Sequence, residues 1–243
     1  MRMLTFAKRC TKEILRDPLN LAFGLGFPVV LLLLLSVIQS NVPVSLFEIE
    51  SLTPGITVFG LSFMTLFSAT LLARDRESSF LQRLYTTPLR ASDFVLGYVL
   101  PMIPISVAQG VICYAVAWAL GLQITLNTVH AVFMIAPISV FYISLGLLCG
   151  SLFNVKQVGG ICGALLTNLS AWLSGIWFDL DLMGEGFRKF ANLLPFVHAV
   201  ELERDMLGGA SDGVLTHVLV VFGYAVVITI GAILIFLRKM KTQ

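Results

Sequence analysis

Charged residues are scarce in this 243-residue chain, and their scarcity excludes an ordinary soluble fold. Asp, Glu, Lys and Arg together make up 12% of the sequence, whereas 57% of the residues are hydrophobic. That charged share is about half of what a soluble domain usually carries. A water-soluble protein of this length could not bury so much apolar surface. The composition therefore predicts a membrane protein.

The sequence also lacks the motifs that metal, nucleotide and hydrolase chemistry require. Its four cysteines, Cys10, Cys113, Cys149 and Cys162, include no CxxC pair. They are expected to be buried small apolar residues, not a disulfide framework or a zinc site. There is no GxxxxGK[ST] phosphate-binding loop, no HExxH and no GxSxG. We therefore expect no enzymatic activity, no metal and no cofactor on this chain, so any ATP hydrolysis must belong to another polypeptide.

Six long apolar runs are present, and each is long enough to cross a bilayer as a helix. Their approximate bounds are 19–40, 54–73, 94–120, 129–152, 158–178 and 214–237. No Asp, Glu, Lys or Arg lies within these runs, which disfavours an ion-coupled or proton-coupled transporter, because such proteins usually keep buried ionisable groups. The sequence predicts an all-α polytopic membrane protein with a single transmembrane domain over 1–243.

Lys and Arg are unevenly distributed between the connecting segments, and this asymmetry sets the expected orientation. If the amino terminus is inside, the cytosolic segments are 1–18, 74–93, 153–157 and 238–243, and they hold 13 of the 16 Lys and Arg. We therefore expect both termini in the cytosol.

Residues 1–18 combine a basic composition with apolar residues at helical spacing: Leu4, Ala7, Cys10 and Ile14. This pattern is typical of an amphipathic helix in the cytosolic headgroup layer. A frayed polar tail is the alternative. The stretch is too polar for a cleaved signal peptide, so we expect it to belong to the mature chain.

The connection between the fifth and sixth runs, residues 179–213, is long and of mixed polarity. It is too polar to span a membrane, and its apolar spacing predicts one or two short interfacial or re-entrant helices on the external side. His198, Glu201 and Glu203 in "HAVELE" fit no zinc pattern and have no third ligand cluster. An ordinary polar helix face is expected there.

Two patterns inside the runs leave alternatives open. GxxxG spacing, which lets helix backbones approach closely, occurs at 146–150 and 159–163. It favours packing within one subunit, or a subunit interface at the fifth run. Phe59, Phe63 and Phe67 recur every four residues in the second run. They favour core or lipid-facing packing, or a lining for a transport pathway.

The stretch "RDRESSFLQRLYTTPL", residues 74–89, is charged although it lies between two apolar runs. An apolar helix face recurs within it, and Pro88 ends that helix. The face consists of Phe80, Leu81, Leu84 and Tyr85. A helix of about two to three turns is not stable alone in water. The pattern therefore predicts a docking helix that lies on lipid headgroups or on a partner protein.

"DRESSFLQRLYTTPLRASDFVLGYVL" resembles the first cytosolic loop of the ABC type-2 exporter permeases, which typically runs Arg-Glu-x-Gly-Thr-Leu-Glu-x-Leu and then Thr/Ser-Pro-Leu. The matching residues are Arg76, Glu77, Leu81, Leu84, Thr87, Pro88 and Leu89, whereas Ser79, Phe80 and Gln82 depart from the pattern. "LLPFVHAVELERDMLGG" is similar to the family's stretch before the last span, and its marked positions are Pro195, His198, Glu201 and Arg204. With the six-span plan, the resemblance covers nearly the whole chain.

The resemblance implies the permease subunit of an ATP-driven exporter in a bacterial cytoplasmic membrane. Its partners would be membrane lipids, a second permease subunit (identical or different) and two separate ABC ATPase subunits that bind ATP and Mg²⁺; no nucleic acid is expected. Segment 74–93 would contain the cytosolic coupling helix. The implied ATPase-docking residues are Arg76, Glu77, Phe80, Leu81, Arg83, Leu84, Tyr85 and Pro88.

The resemblance also implies a conduit between two permease subunits, lined chiefly by the first, second and fifth runs. Candidate lining residues are Phe59, Phe63, Phe67, Asn168 and Trp172. The expected substrate is amphipathic: a drug, as in multidrug resistance, an antimicrobial peptide or a lipid-like molecule. A polysaccharide or glycolipid exporter of the same family, and a non-transporting membrane scaffold or sensor, are the alternatives.

Overall fold

Helices make up all the regular structure in the residues that the computed structural model describes, which are 2–43, 47–78, 91–178, 180–210 and 213–241. They are α1 (Arg2–Leu15), α2 (Pro18–Asn41), α3 (Ile49–Glu77), α4 (Ala91–Ala119), α5 (Leu126–Leu152), α6 (Val155–Gly160), α7 (Thr167–Leu173), α8 (Glu185–Leu193), α9 (Pro195–Gly208) and α10 (Val214–Lys241). A π-helical turn over Ile161–Leu166 joins α6 to α7, and a 3-10 turn over Leu180–Met183 precedes α8. The protein is thus an all-α polytopic membrane protein.

Five of the described helices, α2, α3, α4, α5 and α10, are long and apolar enough to cross a membrane. They coincide with five of the six predicted runs. The remaining run, 158–178, is different: residues 155–173 are helical throughout but are divided by the π-helical turn. The helix ends at Leu173, and Gly175 takes a positive φ of 68° that favours glycine. We call residues 155–173 the broken helix.

α3 lies at the centre of the bundle, against α2, α4, α5 and α9. In its 18-residue apolar stretch 89% of the residues are buried, whereas the corresponding share is 22% in α2 and 17% in α10. Its close approach to α5 depends on glycine. A Cβ at Gly146 would overlap the Ser68 hydroxyl and the Thr65 carbonyl oxygen, whereas a Cβ at Gly159 would meet nothing within 4 Å. The first GxxxG pair therefore serves packing within the chain.

α1 packs most of its apolar face on α4, so this part of the face is covered by protein and not by headgroups. Phe6, Cys10 and Ile14 are buried. The Phe6 ring lies 5.0 Å from the ring of Tyr98. Of the predicted stripe, Leu4 is 62% exposed. α1 meets the end of α3 and the start of α4, and we call this side of the bundle the α1 end. α8 and α9 lie at the opposite side, the α9 end.

Candidate functional sites

Most of the residues implied as docking contacts lie outside the described residues. These are Phe80, Leu81, Arg83, Leu84, Tyr85 and Pro88, all within the segment 79–90. The chain on either side of this segment is described, because α3 ends at Glu77 and α4 begins at Ala91. How the segment is anchored can therefore be established from the last turn of α3.

Asp75 is a buried carboxylate in that last turn, with only 4% of its side chain exposed. Arg9 of α1 donates to both of its oxygens, at 2.5 and 2.6 Å, and the Tyr98 hydroxyl of α4 donates to Oδ2 at 2.5 Å. Arg9 also pairs with Glu13 on its own helix at 2.5 Å. A bidentate arginine and a hydroxyl donor stabilise an ionised carboxylate. The charge of Asp75 therefore fastens α1 and α4 to the end of α3.

Arg76 and Glu77 continue this anchorage to α5 and α6. Arg76 Nη1 donates to the Gly150 carbonyl oxygen at 2.6 Å and to the Phe153 carbonyl oxygen at 3.3 Å. Positive charge is favoured there because the carboxyl end of a helix is partially negative. Glu77 Oε1 accepts from the Val155 backbone N–H at 2.8 Å, in the first turn of α6. Both residues thus contact this chain's own backbone, and their contact with an ATPase stays a prediction.

Together, Asp75, Arg76 and Glu77 form what we call the loop root. Through side-chain contacts, these three consecutive residues join α3 to four other helices. A displacement of segment 79–90 would therefore act on α1, α4, α5 and α6 as well as on α3.

At the opposite end, α9 carries the predicted external motif. Pro195 occupies the first position of α9, where proline is favoured because no backbone N–H is needed. Arg204 donates to the Glu201 carboxylate at 2.8 Å and to the Gly175 carbonyl oxygen at 3.2 Å. Its Nε lies 3.5 Å from the Ser51 carbonyl oxygen. Arg204 therefore holds α9 against the start of α3 and the turn that follows α7.

His198 joins α9 to α10. Its Nδ1 lies 2.7 Å from Nδ1 of His217, and its Nε2 lies 2.9 Å from the Asn192 carbonyl oxygen. His217 Nε2 is in turn 3.7 Å from the Asp205 carboxylate. In the described part of the chain, no group of three or more His, Cys, Asp or Glu is arranged to hold a metal ion. The histidine pair thus acts as a contact between helices.

A cavity of about 770 Å³ opens at the α9 end, and we call it the α9-end cavity. This volume is within the range of small-molecule sites, roughly 300–1,000 Å³. Its lining includes the aromatic residues Phe47, Trp177 and Phe178. Its lining arginines are paired with carboxylates, Arg188 with Asp181 at 2.6 Å and Arg204 with Glu201. Paired charges beside aromatic rings offer hydrogen bonds without a strong net charge, which suits an uncharged polar group attached to an apolar one.

Three of the candidate pathway residues pack between α2 and α3. Phe59 and Phe67 are each 5% exposed, and Phe63 is half-buried. The Phe27 ring of α2 lies 5.7 Å from the Phe63 ring, and the Phe59 ring lies 5.8 Å from that of Trp177. This aromatic cluster therefore extends from within the bundle to the α9-end cavity.

The two other candidate pathway residues, Asn168 and Trp172, are exposed on the broken helix. Trp172 is 52% exposed, and the apolar Leu165 and Leu169 are exposed beside it. Asn168 Nδ2 donates to the Ala164 carbonyl oxygen of its own helix at 2.8 Å. An exposed amide on an apolar helix face is costly in lipid. This face therefore suits a protein neighbour better than lipid.

Glu203 is a buried carboxyl group, so the expectation of an ordinary polar helix face is wrong at this position. It is 0% exposed, and its Oε1 accepts from the Tyr114 hydroxyl of α4 at 3.0 Å. Its Oε2 has no hydrogen-bond partner among the described residues. Burial raises the pKa of Glu203 to about 8, although the Tyr114 hydrogen bond opposes this. Glu203 follows Ala199 by four residues and Val200 by three, so it lies on the same helix face as these two apolar residues. This spacing could have identified it as buried.

Known proteins resemble this chain over most of its length. Residues 1–207 match the family model described as ABC-2 type transporter. Nodulation protein J of Bradyrhizobium diazoefficiens is 29% identical over 231 residues, which cover 93% of this chain and 85% of that protein. The loop root, segment 79–90 and the external motif all lie inside the region that matches the family.

Proposed function

The chain belongs to the ABC-2 type transporter family, and from this premise we propose that it is the permease subunit of an ATP-driven exporter. Two such subunits form a conduit, and separate ATPase subunits hydrolyse ATP. An amphipathic substrate leaves the cytosol or the inner leaflet through this conduit. The chain itself is the transmembrane part of the transporter.

The observation that carries the proposal is the loop root. An ATPase that moves segment 79–90 can drive transport only if that movement reaches the membrane-spanning helices. Asp75, Arg76 and Glu77 supply this connection through charged hydrogen bonds to Arg9 and to the backbone of α5 and α6. Bonds of this kind are shorter and stronger than neutral ones. The ATPase would thus act on five helices through one short segment.

The proposed orientation places the α1 end in the cytosol. Basic residues favour the cytosolic side of a bilayer, and α1 and the end of α3 carry several of them. The α9 end, with the α9-end cavity, then faces outward. Substrate would leave the conduit at that side.

A second permease subunit would cover the exposed faces of α2 and of the broken helix. α2 exposes the large apolar residues Phe23, Val30, Leu34 and Val37. Lipid could cover those residues, but it offers no hydrogen bond to the part of the exposed Asn168 amide that the Ala164 carbonyl oxygen does not engage. π-Helical segments also often mark functional positions in helices. These features support an interface between subunits along the broken helix.

The chemistry proposed for the substrate is that of a molecule with an apolar and a polar part. The aromatic cluster of Phe27, Phe59 and Phe63 suits the apolar part, and the α9-end cavity suits an uncharged polar part. A drug, an antimicrobial peptide or a lipid-like molecule meets this description. A polysaccharide or glycolipid is the second candidate, because aromatic rings beside paired charges also suit hydroxyl-rich groups.

The decisive experiment places a charge on the apolar face of segment 79–90. Phe80→Asp and Leu84→Asp are expected to abolish co-purification with the ABC ATPase, and to remove substrate-stimulated ATP hydrolysis by the complex. Insertion into the membrane should be unchanged. Gln82→Asp is the matched control, because periodicity puts the same charge on the polar face, where it should change little.

Normal ATPase binding and stimulated hydrolysis in both Phe80→Asp and Leu84→Asp would refute docking through this face. A complex that binds the ATPase but whose hydrolysis no substrate stimulates would instead favour the scaffold or sensor role.

A further inference from the structure

Glu203 stands out because it places an acid in a fully buried contact between two helices. α9, which carries it, lies outside the long spanning helices, whereas Tyr114 belongs to the spanning helix α4. One carboxyl oxygen accepts the Tyr114 hydrogen bond, and no cation contacts the other among the described residues. An ionised carboxylate in such a place would lack compensation. A neutral acid carries no charge, so its burial costs far less.

We propose that Glu203 is a proton-binding site, which holds a proton while α9 is packed against α3, α5 and α10 and loses it when α9 lifts from these helices and water reaches the carboxyl group. The opposite face of α9 lines the α9-end cavity through Val197, Glu201 and Arg204. Movement of α9 away from α3, α5 and α10 would therefore change the cavity and expose Glu203 at the same time.

Among the described residues, no positively charged side chain forms an ion pair with the Glu203 carboxyl group that would replace its proton. Tyr114 is the titratable side chain that contacts Glu203 in the described part of the chain. The other titratable or charged groups on α9 and on the helices near it are His198, Glu201, Arg204 and Asp205 of α9, Glu50, Arg74, Asp75, Arg76 and Glu77 of α3, Asp93, Tyr98 and Cys113 of α4, His130, Tyr142 and Cys149 of α5, Glu185, Arg188 and Lys189 of α8, and His217, Tyr224 and the basic carboxyl end of α10. Arg204, the cation nearest in sequence, is bound to Glu201.

The proton balance is simple because both steps take place at one side of the membrane. On lifting, the neutral carboxyl gives one proton to water and becomes a carboxylate; on reseating, it takes one proton back from the same side. No proton crosses the bilayer. Acid on that side therefore favours seated α9, and alkali favours lifted α9, by at most about tenfold in their ratio per pH unit.

Infrared spectroscopy of the purified permease in lipid nanodiscs tests the protonation directly. At pH 7 the wild type should show a protonated-carboxyl C=O band that is lost in Glu203→Gln and retained in Glu50→Gln, whose glutamate is exposed. Tyr114→Phe should move the band to higher frequency. In the wild type the Tyr114 hydrogen bond lowers the pKa of Glu203. Without that bond, the Tyr114→Phe variant should keep its proton to a higher pH.

Hydrogen exchange along residues 195–208 tests the movement. After correction for intrinsic exchange rates, these amides should be less protected at pH 9 than at pH 6 in the wild type, and Glu203→Gln should remove this dependence. Neither experiment needs the ATPase or a substrate, so failed docking at segment 79–90 would leave both results unaffected.

A wild-type spectrum at pH 7 without a protonated-carboxyl band would overturn the proposal, even if Glu203→Gln does not fold. Equal protection of α9 at both pH values would also overturn it, because the proton would then have no effect on the helix.

Discussion

At the scale of single residues, the charge of Asp75 has the clearest energetic consequence. It lies just beyond the apolar part of α3, almost without solvent, and Arg9 and Tyr98 surround it. Removing one partner of a buried ion pair leaves a charge that neither water nor protein compensates. The free energy of unfolding should therefore fall more when one charge of the Arg9–Asp75 pair is removed than when both are removed.

Arg9→Met is accordingly expected to lower the free energy of unfolding by about 1–3 kcal/mol, less than for a completely buried pair because Arg9 is partly exposed. Asp75→Asn in the same chain should recover part of this loss. Lys12→Met is the matched control, since it removes a positive charge from the exposed side of α1. The measurement is a double-mutant cycle from unfolding in mixed micelles, and additive effects would show that the two side chains are not coupled.

At the scale of elements, the contact between α3 and α5 depends on the absence of side-chain atoms at two positions of α5. Gly146 and Gly150 bring the backbones together, and a Cβ at Gly150 would lie 2.6 Å from the Ala69 carbonyl oxygen. Helix association in lipid relies on such packing, because lipid tails are as apolar as the side chains.

Gly146→Ala is therefore expected to cost about 1–3 kcal/mol of stability, the usual range for overpacking. Gly159→Ala, in the second GxxxG pair, should be neutral or slightly stabilising, because its Cβ meets nothing and alanine favours helix. Thermal unfolding of both variants under the same conditions checks this difference. Equal destabilisation would mean that Gly159 is also packed, for example against a second subunit.

At the scale of the whole molecule, the exposed side of the broken helix is expected to face a second permease subunit. Trp172→Cys should form disulfide-linked dimers with the same cysteine of a second copy of the chain under mild oxidation in membranes. Leu219→Cys is the control, because Leu219 is 62% exposed on α10 near the same end of the bundle. The four natural cysteines are buried and stay in both variants. Cross-linking at 219 but not at 172 would contradict the proposed interface.

Sequence patterns predicted the long helices well because spanning helices must be apolar for about 20 residues. They were less accurate for the fifth run, 158–178, because the helix ends at Leu173 and residues 174–178 are not helical. Nothing in a hydropathy pattern marks the π-helical turn or the positive φ of Gly175. Those features depend on local hydrogen bonding, which composition does not determine.

The buried acids illustrate the same limit at the functional sites. Asp75 and Glu203 both lie outside the predicted spans, where charged residues are ordinarily exposed. Their hydrogen-bond partners lie on other helices, Arg9 of α1 and Tyr98 of α4 for Asp75 and Tyr114 of α4 for Glu203, and no local pattern marks these pairings. The docking stripe of segment 79–90 lies outside the described residues and stays a prediction.

The central place of α3 bears on how the chain is made. α3 leaves the ribosome before α4 and α5, yet it carries the hydroxyl groups of Thr53, Thr57, Ser62, Thr65 and Ser68, all of which the finished fold buries. α2 and α10, which expose most of their surface, are suited to lipid as single helices. Until its later neighbours arrive, α3 must therefore expose polar groups that the bilayer solvates poorly. At the stage of the α2–α3 pair, the packing of α3 thus still depends on helices that have not yet been made.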